Sequence, residues 1–162
     1  MNQAINFFWT IICFIPVVSF WVAAGAMQLC YLFIGISAIS LLVPARVLQL
    51  SCNPEFYEAA GVKFIRKVVQ NGQWINSYLR RRHPHYKLIK NKTHAGTYLK
   101  SVAMYERYHL LCFVFFMLTA GHAIAGSHYA MSISLIIANV IYNICPILLQ
   151  QYNRARLLKL PR

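Results

Sequence analysis

Four long apolar segments without a single Asp or Glu constrain this chain more than any other feature. They run from Ile5 to Ala24, Met27 to Leu48, Tyr108 to Ala125 and Tyr129 to Leu149. Crossing the hydrocarbon core of a bilayer takes about 20 consecutive apolar residues in helical form, and each segment is close to that length. Lipid offers no partner to an exposed backbone amide, so a chain that enters it must satisfy its own hydrogen bonds. The pattern predicts an all-α polytopic membrane protein with four transmembrane helices. The short connections "AAGAMQ" and "GSHY" pair them as two antiparallel hairpins, 5–48 and 108–150.

Charge orients the bundle. Sixteen Lys and Arg stand against three acidic residues, and all sixteen lie between Arg46 and Arg162, in the central stretch 49–107, at its borders and in the tail 151–162. Lys and Arg are retained on the cytoplasmic side during insertion, so both termini and the central stretch are expected there, in the plasma or inner membrane. The first segment has no Lys or Arg ahead of it and is longer than the apolar run of a secretory signal, which favours an anchor over a cleaved leader. Five cysteines, four of them inside expected spans, read as small packing residues rather than a disulfide framework. No zinc-type spacing of His and Cys occurs, so no metal and no resident cofactor is expected.

The central stretch opens with a helix start, Asn53 as cap, Pro54 in the first turn, and Glu55 and Glu58 at the positive end of the dipole. Tyr57, Phe64, Ile65, Val68 and Val69 recur on one side and Lys63, Arg66 and Lys67 on the other, predicting one amphipathic helix in the membrane interface that closes at Asn71-Gly72. Trp74 and Tyr78 then precede the basic run "LRRRHPHYK". Cations beside a membrane serve retention and contact with anionic lipid; a mouth for a phosphate-bearing substrate is the sharper alternative. Nucleic acid is not an expected partner.

Two patterns carry candidate chemistry. Glu106 and His109 stand three apart at the entry to the third span, one helical face in which a carboxylate can orient a general base. The alternative pairs Glu106 with Arg107 or Arg46 and sends His109 to the interface. On an ideal helix Asn139, Asn143, Pro146, Gln150 and Asn153 of the fourth span fall in a sector roughly 80° wide. Amides cannot face acyl chains, so this stripe either bonds neighbouring helices or lines a pocket. Pro146 also leaves the carbonyl of Tyr142 without its amide donor.

The E-x-x-H of Glu106 and His109 and the N-x-x-P-x-x-x-Q-x-Y-N-R-x-R of Asn143, Pro146, Gln150, Tyr152, Asn153, Arg154 and Arg156 resemble the glycosyl-4,4'-diaponeurosporenoate acyltransferase family of small bacterial membrane proteins. The resemblance runs from about Asn53 to Leu157, with Gln151 where an Arg is common and "VVQNG" in place of a Pro-Asp-Gly-like turn. It implies acyl transfer to the sugar of a carotenoid glycolipid, with acyl-CoA or another acyl donor as co-substrate. From the chemistry, His109 would take the acceptor proton with Glu106 orienting it. Asn143, Gln150, Tyr152 and Asn153 would bind the acceptor or the oxyanion, and Arg154 and Arg156 the donor phosphates. The competing class is a non-enzymatic accessory subunit or a lipid- or carotenoid-binding protein with a partner in the membrane. "RRRHPHY" also resembles a loop of isoprenylcysteine carboxyl methyltransferase-like enzymes, but no paired glutamates follow.

Overall fold

The computed structural model describes residues 2–68 and 92–159, and those residues form helices and their connections, with no strand among them. Helix α1 spans Asn2–Ala24; α2 spans Met27–Ala38 and tightens into a 3-10 turn, Ile39–Leu42. Three short helices follow, α3 (Ala45–Leu48), α4 (Pro54–Ala59) and α5 (Val62–Val68). Two long ones complete the described residues, α6 (Lys92–Ala125) and α7 (Tyr129–Leu158). The Asn71-Gly72 stop, Trp74, Tyr78 and the "LRRRHPHYK" run lie outside the described residues.

Three of these helices, α1, α6 and α7, are long and apolar enough to cross a membrane. The expected second span is shorter than its apolar composition suggests. Pro44 disfavours helical geometry at the residue before it, and Val43 turns extended at φ −71°, ψ 121°. The apolar helix therefore stops at Leu42, after 12 α-helical and 4 3-10 residues. Its rise of about 26 Å falls short of a hydrocarbon core of about 30 Å.

Helices α6 and α7 pack on each other and are joined by the turn Gly126, Ser127 and His128, with Ser127 at φ 61°. Small residues let the two backbones approach: Ala120 and Ala123 are buried on α6, and Ser132 of α7 donates to the Ala120 carbonyl at 3.1 Å. The first two helices do not close on each other in the same way. The main neighbour of α1 is α7, and that of α2 is α6, so the N-terminal pair embraces the second hairpin. Cys13, Val17, Phe20 and Trp21 of α1 meet Cys112, Phe115 and Phe116 of α6 and Leu135, Ala138 and Tyr142 of α7 in one core. The indole of Trp21 donates to Thr119 at 3.3 Å, satisfying the polar atom this ring brings into the core.

The single amphipathic helix expected after Asn53 is two. Asn53 caps α4 as predicted, its side-chain oxygen accepting from the Glu55 amide at 3.3 Å. Gly61 then ends the helix at φ +83°, a left-handed conformation available to glycine at no steric cost, and α5 starts at the next residue. Tyr57 and Val62 are fully buried against Leu149, Tyr152 and Ala155 at the end of α7. Tyr57 is therefore a protein contact, whereas Phe64 is 71% exposed.

Candidate functional site

The feature that positions the site is a widened turn in α7. Residues Val140–Ile144 are π-helical, and the amide of Cys145 reaches back five residues to the carbonyl of Val140. One residue more in a turn rotates everything after it by about 100° relative to an ideal helix. The stripe read from ideal periodicity is correct as far as Asn143 and then slips by one position. Gln151 and Arg154 take the inward places that regular phase assigns to Gln150 and Asn153.

Around Gln151 the chain builds a buried polar node. Glu106 is fully buried, and its two oxygens are held by different residues of α7. Gln151 donates to Oε1 at 2.8 Å, and Arg154 forms an ion pair with Oε2. The second amide proton of Gln151 goes to the Leu48 carbonyl at 2.6 Å, and its oxygen accepts from the Leu50 amide at 3.2 Å. Arg154 also donates to Gln49 Oε1 at 2.9 Å. The Tyr57 hydroxyl accepts from Gln49 at 2.7 Å and from the Ser51 amide at 2.9 Å, and shares its proton between the Ser51 carbonyl and Gln151 Oε1. Burial pushes the Tyr57 phenol above its ordinary pKa, so it stays a donor.

Glu106 does not orient His109. With both oxygens committed to α7, it has no hydrogen bond to the imidazole, and among the described side chains its cation is Arg154 rather than Arg107. His109 is oriented from the other side. Its Nδ1 lies 3.4 Å from Asn143 Oδ1, Asn143 donates to Asn139 Oδ1 at 2.8 Å, and Asn139 donates to the Phe113 carbonyl at 3.2 Å. A carbonyl can only accept, so the direction of the whole chain is set from its end. Asn139 must present its NH2 to Phe113 and its oxygen to Asn143, and Asn143 must then turn its oxygen to His109. The proton of a neutral imidazole therefore sits on Nδ1, leaving Nε2 as the basic nitrogen. Tyr108 and Tyr142 flank the imidazole with ring centroids at 5.3 and 5.4 Å, and their hydroxyls meet at 3.2 Å. Thr10 of α1 extends that hydroxyl chain, 3.0 Å from Tyr142.

The other expected site residues divide. Gln150 and Asn153 are half-buried, and neither side chain has a hydrogen bond among the described residues. Tyr152 is buried rather than open to a ligand, its hydroxyl donating to Glu58 at 2.9 Å. Arg154 serves as counter-ion to Glu106, so a phosphate would have to displace that carboxylate. Arg156 is exposed, and it and Arg66 both lie over the Tyr152 ring, at 5.5 and 5.7 Å from its centroid. Gln49, Ser51, Tyr57 and Gln151 were not among the expected site residues. Among the described residues no group of three His, Cys, Asp or Glu could hold a metal ion.

Among the described residues the structure is all-helical, with three helices fit to cross a membrane and an imidazole held by an amide relay inside them, the build of a small membrane protein. The chain belongs to the CrtO family, described as glycosyl-4,4'-diaponeurosporenoate acyltransferase, whose family model matches residues 44–162. The match leaves out α1 and α2 and takes in the polar node and the whole α6–α7 hairpin. No curated protein and no solved structure matches the chain.

Proposed function

We propose that this protein is an integral-membrane acyltransferase that moves a fatty acyl group onto a hydroxyl of a lipid-embedded acceptor, with His109 as its base. Family membership supports acyl transfer and a glycosylated carotenoid as acceptor class. The observation that carries the role of His109 is the one-way relay from Phe113 through Asn139 and Asn143, which reserves Nε2 for a proton. As the acceptor oxygen attacks the acyl carbonyl carbon, Nε2 takes the hydroxyl proton. The tetrahedral intermediate then collapses, the bond to the leaving group breaks, and the imidazolium returns the proton to that group. Asn143 is a positioning residue for the ring, and Glu106 acts at one remove by neutralising Arg154 and pinning the chain around Leu48 against α7.

With the cations on the cytoplasmic side, the central stretch, the C-terminal tail and the polar node lie at the cytoplasmic leaflet of a bacterial plasma or inner membrane. Acyl-CoA or another acyl donor enters there as co-substrate, and in this reading Arg156, which is exposed, meets its phosphates. The decisive experiment is lipid mass spectrometry of cells lacking the gene and complemented with wild type, His109→Gln or empty vector. Loss of one acylated glycolipid, restored by wild type and not by His109→Gln at equal expression, is expected. Full restoration by His109→Gln removes the base assignment. An unchanged lipid profile in the deletion, with a membrane protein co-purifying, replaces the enzyme by an accessory subunit.

A further inference from the structure

The chain has three carboxylate side chains, and all are engaged internally: Glu55 with Asn53, Glu58 with Lys63, and Glu106 with Arg154. Cations outside these pairs must draw counter-ions from the surroundings. Two of them share one surface feature. An open groove of about 640 Å³ lies between the 3-10 turn after α2 and the outer face of α6, walled by Leu41, Met104, Tyr108 and Leu111 and bordered by Lys100 and Arg107. Residues 100, 104, 107, 108 and 111 recur at helical spacing, on the face of α6 turned away from Glu106 and His109. Lys100 and Arg107 are exposed and, among the described residues, in no ion pair.

The groove has a direction. Lys100 lies near the start of the apolar run of α6 and Leu111 well inside it, about 16 Å further along the axis. Lys100 and Arg107 stand about two turns apart with Met104 between them, and Leu111 lies about one turn deeper than Arg107. Cations toward the outer part and apolar wall at the inner end match a lipid standing in its own leaflet, and a soluble phosphate has no use for the wall. The volume falls within the range of about 300–1,000 Å³ found for small-ligand sites. We propose that this groove binds one anionic glycerophospholipid, its headgroup phosphate held by Lys100 and Arg107 and one acyl chain lying along Leu41, Met104 and Leu111. Tyr108 lines the groove and touches the His109 ring, so the bound lipid borders the histidine site without entering it. No catalytic step enters the proposal, and binding is read whether or not acyl transfer is detected.

Native mass spectrometry of the full chain in neutral detergent, titrated with phosphatidylglycerol and with phosphatidylcholine of matched chains, tests it. Wild type is expected to hold its first phosphatidylglycerol at least tenfold more tightly than phosphatidylcholine, and K100A/R107A to lose that preference while keeping its helical circular dichroism. A diazirine placed on the acyl chain of phosphatidylglycerol is expected to label the 100–111 segment, with Met104→Trp reducing the labelling by filling the wall. Equal affinity for the two lipids, undiminished binding by K100A/R107A, labelling confined to other segments, or displacement by equimolar coenzyme A would each overturn the proposal.

Discussion

Replacing Glu106 by Gln keeps the shape of the side chain and removes only its charge. The carboxylate is fully buried, and the side chain of its partner Arg154 is 12% exposed, so the variant leaves the guanidinium without its counter-charge and with little water in exchange. Breaking one side of a buried ion pair costs about 3–5 kcal/mol. The Gln oxygen can still accept one bond from Gln151 or Arg154, worth about 1 kcal/mol, which puts the expected loss at about 2–4 kcal/mol. Arg154→Met is expected to cost less in mild acid, because a stranded carboxyl can take up a proton and a stranded guanidinium cannot release one. The double variant E106Q/R154M has no buried charge and is expected to be more stable than E106Q alone. Loss of far-UV circular dichroism with rising dodecyl sulfate fraction in mixed micelles measures all three. If E106Q unfolds within about 0.5 kcal/mol of wild type, or the double variant is the least stable, the node does not hold the fold in the way its geometry implies.

Other outcomes follow from the same contacts. Asn143→Leu is expected to reduce acylated-lipid formation at least tenfold, while Asn143→Asp, which keeps an acceptor on His109, retains part of it; mass spectrometry of complemented cells compares them. Pro146→Ala should gain less than about 1 kcal/mol in mixed-micelle unfolding, well below the roughly 3 kcal/mol penalty of an ordinary interior proline, because the π turn already accommodates the missing amide. The ion pair with Lys63 and the hydroxyl of Tyr152 hold the Glu58 carboxyl below its ordinary pKa. Its contribution to stability is therefore present above the unfolded carboxylate value and lost as pH falls through the lowered one. A thermal melt series in acid should show this loss in wild type and a smaller one in Glu58→Gln.

Much of the architecture could be read from the residues because lipid-compatible runs are chemically unambiguous. The acid-free segments mark α1, α6 and α7, and the sequence Asn53-Pro54-Glu55 marks the start of α4. The break at Gly61 had a signal, the glycine itself, outweighed by a periodicity that continues across it. The misplacement of Tyr57 has a physical origin: an amphipathic pattern shows that one face seeks an apolar surface without saying whether lipid or protein supplies it. For the site, the pairing of His109 with Asn143 across two helices was implicit in the stripe. The one-residue slip after Asn143 was not, since a π turn leaves no pattern of its own and every inference beyond it inherited the wrong phase. Glu106 announced that it needed a cation; which arginine answered depended on that phase.

The node around Glu106 also dictates an order of events in the making of the protein. Glu106 leaves the ribosome 45 residues before Gln151 and 48 before Arg154, while Leu48 and Gln49 wait more than 100 residues for the same partners. Until the last helix is threaded, the carboxylate must be either protonated or parked at the water boundary, because no cation has arrived to meet it. Completion of α7 is thus what commits α6 to its final depth, and it draws the Leu48–Ser51 segment down in the same step. A chain truncated anywhere before Arg154 carries an unclaimed acid at the edge of an apolar helix, the kind of blemish by which membrane quality control tells an unfinished product from a finished one.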